Sequence, residues 1–286
     1  MKKISILLSL SLVFSSCEKE IDYQIPDPGD KIVVSANLEN GETAKVYIST
    51  SVYSMLAADP KTDDIYTARL FTDDPNSPFE LKPQLDNNTF DSIYFYSAPH
   101  IISEGKTYRL EVSAPNLESI TANTIVPAVK QIENVLFDPV SNELTFNFKD
   151  NASQDNFYLV ELKASGTDYN FLFSSADPSL DFFDFQTDPL GGDGDGRSYG
   201  LEAFFDDNKF QGKRKEISIR LENLVEGNQF YVYLHSISES YYRFRLTQGA
   251  SSAAGFFGEP VPLFSNVEGG YGILAGRSNS RTLVTY

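Results

Sequence analysis

Ile102-Ser103-Glu104-Gly105-Lys106-Thr107-Tyr108-Arg109-Leu110-Glu111-Val112 aligns without gaps on Leu224-Val225-Glu226-Gly227-Asn228-Gln229-Phe230-Tyr231-Val232-Tyr233-Leu234. In both stretches a Glu-Gly turn leads into a run whose alternate residues are aromatic, aliphatic and aliphatic. Side chains of a strand point to opposite faces in turn, so Tyr108, Leu110 and Val112 share one face, as do Phe230, Val232 and Leu234. One turn-and-strand pattern used twice predicts two related β units.

Outward from the first stretch, residues 31–127 read as short strands separated by turns. Strands are expected at 32–36, 44–50, 66–72, 93–96 and 107–113, with Asn40-Gly41, Asp74-Pro75-Asn76 and Glu104-Gly105 as punctuation. Around the second stretch they are expected at 143–149, 156–163, 216–221 and 229–236. No helical period competes over the first span, so the natural closure is an all-β sandwich. The entry at Tyr108 resembles the start of strand F in fibronectin-type and immunoglobulin-like sandwiches, where a tyrosine hydroxyl caps the corner. Phe230 lacks that hydroxyl. The expected fold class is all-β: two immunoglobulin/fibronectin-type-III-like β-sandwich domains, 31–127 and 128–286, the second with a long insertion and one short C-terminal helix.

The insertion, 165–212, holds Phe171, Phe173, Phe182, Phe183, Phe185, Tyr199, Phe204, Phe205 and Phe210 among many aspartates. Two readings stay open for it: an extra hairpin covering a sheet face, or a binding platform. The helix is expected near 238–249, with Ser238 or Ser240 as its cap and Gly249 as its stop. Beyond it, Glu259 to Gly276 joins a proline-rich extended segment to a glycine-rich turn around Tyr271.

The leader decides location. Met1-Lys2-Lys3, an apolar run from Ile4 to Phe14, and Ser15-Ser16 before Cys17, the one cysteine, have the layout of a lipoprotein signal peptide over 1–16. The run is about eleven residues, whereas a spanning helix needs about 20. Cys17 is then the lipid-attachment residue, and acyl chains worth about 0.8 kcal/mol per buried methylene hold the protein on a membrane. Residues 17–30, with two prolines and no periodic pattern, read as the lipidated tether. The acidic patch after Cys17 resembles the signal that sends Bacteroidetes lipoproteins to the cell surface.

Composition narrows the partners. The whole chain of 286 residues carries 23 Lys and Arg against 40 Asp and Glu, a net charge of −17. Removing Lys2 and Lys3 with the leader leaves 21 against 40, or −19. Such a field repels phosphate backbones and anionic head groups, so nucleic acid is not an expected partner. With Cys17 committed to lipid, neither a disulfide nor a thiolate zinc site is available.

A wider resemblance follows from motifs along the mature chain: Lys31-Ile-Val-Val34, Thr124-Ile-Val-Pro127, Asp207-Asn-Lys-Phe210-Gln-Gly212, Ser238-Glu-Ser-Tyr-Tyr242, and Ser265-Asn-Val-Glu-Gly-Gly-Tyr-Gly272. Together with the leader they resemble a Bacteroidetes family of outer-membrane lipoproteins described only as a domain of unknown function. Members are typically encoded beside TonB-dependent outer-membrane receptors. The resemblance implies an outer-membrane, exterior-facing accessory in nutrient uptake, with such a receptor as partner. It brings no catalytic residue.

Chemistry is sparse. Asp188 to Gly196 invites a calcium reading through Asp193 and Asp195, but it lacks the closing glutamate of an EF-hand and has Gly196 where a β-roll repeat needs aspartate. A solvated loop fits better, and no metal or other cofactor is expected. His100 and His235 stand in no metal-ligand or triad spacing. Three functions remain: a non-catalytic accessory binding subunit, a carbohydrate-binding surface module, and a hydrolase using carboxylates of the acidic insertion. The candidate partner contacts are Tyr271, Phe182, Phe183 and Phe185.

Overall fold

The structure, a computed structural model, describes residues 29–52, 66–86, 93–167, 169–182, 196–222, 229–254 and 261–285. The side chains of Ile93 and of residues 252–254 fall outside that description.

The first half holds β1 (Ile32–Glu39), β2 (Val46–Thr50), β3 (Thr67–Phe71), β4 (Phe79–Asp86), β5 (Ile93–Ser97), β6 (Thr107–Ser113) and β7 (Ile120–Ile125). Alternation sets its core: Ile32, Val34, Ala36 and Leu38 of β1 meet Tyr108, Leu110 and Val112 of β6. The corner forms as the sequence predicts. Tyr108 is buried, and its hydroxyl accepts the Ser103 backbone N–H at 2.9 Å. Strand β4 changes layers, pairing with β3 from Phe79 to Leu81 and with β5 from Lys82 to Asp86. It escapes a sequence reading because Pro83 and alternating charges break the strand pattern, which an outer strand tolerates.

The second half holds β8 (Glu133–Asp138), β9 (Glu143–Lys149), β10 (Phe157–Ala164), β11 (Phe173–Ser175), β12 (Ser198–Gly200), β13 (Glu202–Asp206), β14 (Arg214–Leu221) and β15 (Phe230–Ile237). A five-stranded sheet in the order β12-β11-β14-β9-β8 faces the layer β13-β10-β15. Between them lies a second core rich in phenylalanine, including Phe146, Phe148, Phe171, Phe173, Phe205, Phe210 and Phe230. Burial of each such ring contributes about 1.5–3 kcal/mol. The described part of the insertion is therefore built into the fold: β11 and β12 widen one sheet and β13 edges the other.

Two last strands, β16 (Val267–Glu268) and β17 (Tyr271–Val284), join the halves. β17 runs parallel to β1 from Tyr271 to Arg277 and antiparallel to β15 from Arg277 to Val284. β16 pairs with β7. The sequence reading assigned all of 128–286 to the second sandwich, yet residues 267–277 pair with strands of the first. Glycine makes this possible: a Cβ on Gly270 would lie 2.3 Å from the Ile32 carbonyl oxygen, and one on Gly276 2.2 Å from that of Ile125. The resulting sheet runs through both halves as β13-β10-β15-β17-β1-β2-β5-β4-β3-β6-β7-β16.

The helix spans Glu239–Ala254 and lies on the outer face of this sheet, where Tyr241 and Tyr242 pack against Leu159, Phe204 and Ile237. Ser238 is the cap: its Oγ accepts the Tyr241 N–H at 3.3 Å. Gly249 does not stop the helix, a correction to the expected end. A mid-helix glycine costs about 1 kcal/mol against alanine, and Ala250, Ser251, Ser252 and two alanines carry the helix on.

Candidate functional site

Because β17 belongs to both halves, the outer face of the long sheet is continuous across their join. Register sets its rows. Glu161 stands beside Tyr233 and Arg281, Leu159 beside His235 and Asn279, and Arg277 beside both Ile237 and Glu39.

On the second half's side of the seam two ionisable groups are buried together. Nε2 of His235 lies 2.9 Å from Oε2 of Glu161, with the side chains 3% and 6% exposed. Lys163 Nζ comes within 3.3 Å of the same oxygen, and the His235 ring lies nearly parallel to that of Tyr233 at 5.7 Å. Burial pushes the Glu161 carboxyl up. The hydrogen bond from His235 and the charges of His235 and Lys163 outweigh it, leaving the pKa at about 2. Beside this group, Arg245 of the helix pairs with Glu202 at 2.7 Å and lies over the Phe204 ring.

At the seam itself Glu39 is held from two sides. Arg277 donates to its Oε2 through Nε at 2.9 Å and through a terminal nitrogen at 2.6 Å, and Asn279 donates to Oε1 at 2.7 Å. Burial works against the charge on Arg277, but Glu39 prevails and raises its pKa.

Next to this pair opens a cavity of about 490 Å³. Its floor is Ser35, Asn37, Ile273 and Ala275, one wall is Tyr241 and Phe244 of the helix, and the other is Tyr47 of β2 with Lys45 just before that strand. Glu42 and Thr43 stand at the β1–β2 turn. The small side chains at 35 and 275 leave the space, and Oδ1 of Asn37 is buried there without a hydrogen-bond partner among the described residues.

Of the sequence-predicted site residues, Phe182 and Tyr271 lie outside this cavity. Cys17, Phe183, Phe185, Asp193 and Asp195 are outside the described residues. Phe182 packs edge-on against Phe173 at 5.6 Å and fills the space over Gly200. Tyr271 is 44% exposed on β17, and the glycines around it serve close approach to β1 and β7 within the chain. Glu39, Arg277, Glu161 and His235 were missed as a group. One signal was present: Glu161 interrupts the apolar run Phe157-Tyr158-Leu159-Val160, where a charge needs a buried partner.

Several of the recurring motifs prove architectural. Asp150 accepts hydrogen bonds from the Tyr158 hydroxyl and, at 2.6 Å, from the Gly212 N–H. Asp207 accepts one from Asn156 at 2.9 Å, which pins the turn from Asp207 to Gly212. Asn266 donates to the Asn123 and Leu274 carbonyls, at 2.8 Å each, and accepts the Leu274 N–H, docking β17 on the first half.

The fold thus defines a protein built almost entirely of strands, with two main cores and a cavity at their join. Over residues 18–282 the sequence matches the family described as Domain of unknown function (DUF4249), and the chain belongs to that family. No curated protein matches it. Among solved structures, the Fcho1 Mu homology domain of Danio rerio with bound Eps15 peptide is similar at 12% identity, covering 87% of this chain and 92% of that one. The TM-score of that match is 0.21.

Proposed function

We propose that the protein is a non-catalytic, lipid-anchored binding protein of the outer membrane, facing the cell exterior and acting as accessory subunit of a TonB-dependent receptor in nutrient uptake. The observation that carries the binding role is the cavity at the seam, whose floor takes residues from both ends of the chain. Clefts where structural units join are common ligand sites. The leader supports the anchor, and the family match starts at residue 18, directly after Cys17. Two experiments test the reading. Cys17→Ser is expected to leave the body folded and to release it from the membrane fraction or strand its precursor; full retention on the outer membrane would remove the anchor. Tagged protein drawn from detergent-solubilised outer membranes is expected to bring a receptor with it; recovery of none after gentle cross-linking at low salt would remove the partnership.

The hydrolase reading has one observation of its own. Burial pushes the Asp181 carboxyl up, and the charge of neighbouring Asp206 adds to the effect, against a hydrogen bond from the Tyr242 hydroxyl. Glycoside-cleaving activity lost in both Asp181→Asn and Asp206→Asn would favour it.

A further inference from the structure

We infer that the seam cavity is a site for a short peptide or free amino acid with both termini charged and an apolar side chain. This rests on the binding reading above and names the ligand class for the same site.

The lining supplies one partner for each part of such a molecule. Lys45 is exposed and has no carboxylate partner among the described residues; its Nζ lies over the Phe95 ring at 5.5 Å from the centroid, a contact that leaves the ammonium open to a ligand carboxylate. Glu42 also lines the cavity and is exposed, and its carboxylate is likewise unpaired among the described residues, which suits an ammonium. Glu39 and Arg277 neutralise each other, so they fix the end of the trough without demanding a charge from the ligand. The buried Asn37 oxygen at the centre of the floor lacks a donor, which a peptide N–H or an ammonium provides. Phe244 and Tyr241 form an apolar wall for a side chain, and about 490 Å³ lies within the range of about 300–1,000 Å³ usual for small-molecule sites.

Other ligand classes fit less well. A phosphate-bearing molecule would meet the carboxylates of Glu39 and Glu42. A sugar needs a free aromatic face, whereas Tyr47 is packed on Phe95 at 6.1 Å and Tyr241 on Phe204 at 6.3 Å.

The test is calorimetric titration of the intact acylated protein, in detergent, with leucylleucine and with its N-acetyl and C-amide forms. Saturable binding of the free dipeptide is expected, weakened tenfold or more when either terminus is blocked. Ala275→Trp, which fills the trough, is expected to abolish binding. Lys45→Ala, a change at an exposed position, should weaken the free dipeptide while leaving the C-amide unchanged, with a urea midpoint close to the parent's showing that the fold is kept. No heat of binding at millimolar dipeptide, or equal affinity for blocked and free forms, or full binding by folded Ala275→Trp, overturns the assignment. Receptor recovery in the pull-down is independent of these outcomes. A receptor recovered with no dipeptide bound would sink this inference alone, and the converse would sink the receptor partnership alone.

Discussion

Ser238 and Gly276 hold each other from both sides: the Ser238 N–H donates to the Gly276 carbonyl at 2.8 Å, and the Gly276 N–H donates to Ser238 Oγ at 3.1 Å. One serine thereby caps the helix and fastens the strand shared by the two halves. It ties the cavity's wall to its floor.

Ser238→Ala is expected to lower stability by about 1–2 kcal/mol, the usual cost of losing a helix cap, here with a second bond lost as well. Gly276→Ala should cost more. Its Cβ would meet the Ile125 backbone at 2.2 Å, and a backbone atom cannot step aside as a flexible side chain can. Urea unfolding of both variants checks the order, and a Gly276→Ala protein as stable as the parent would contradict the close approach.

Tyr108→Phe keeps the buried ring and removes only the acceptor for the Ser103 N–H. A loss of about 1 kcal/mol is expected, the net worth of one hydrogen bond. The urea midpoint should fall with an unchanged slope, since the same surface is exposed on unfolding. A neutral result would mean that the corner is closed by packing alone.

Acid should weaken the protein through Glu161. Its folded pKa is depressed, from an ordinary 4.5 to about 2, so its contribution is present above about 4.5 and is lost as pH falls from there toward 2. Glu161→Gln should be less stable at neutral pH and should show a shallower decline over that window. Thermal melts between pH 2 and pH 6 provide the comparison, and parallel declines in both proteins would place the acid sensitivity elsewhere.

The local patterns were legible in the sequence because they depend on near neighbours. Alternation places β6, β9 and β15, the strand entry marks the corner tyrosine, and residue type makes Ser238 a possible cap. Each follows from residue type and a period of two or from one turn of chain.

What needed the tertiary structure is everything made by residues distant in the chain. The middle of β17, Ala275-Gly276-Arg277-Ser278-Asn279-Ser280, gives no strand signal, because its stability comes from β1 on one flank and β15 on the other. The Gly269-Gly270 turn shows only that close approach is allowed, and the partner it approaches, Ile32, lies at the opposite end of the chain. Glu161 with His235, and Glu39 with Arg277, are ordinary residues singly. They become partners only when strand register sets them on one face. Local sequence thus determined the strands, while long-range pairing decided that the last strand would complete the first half and open a cavity between the two. The physical reason is that a strand's hydrogen bonds are made to other strands, which the residues along it do not specify.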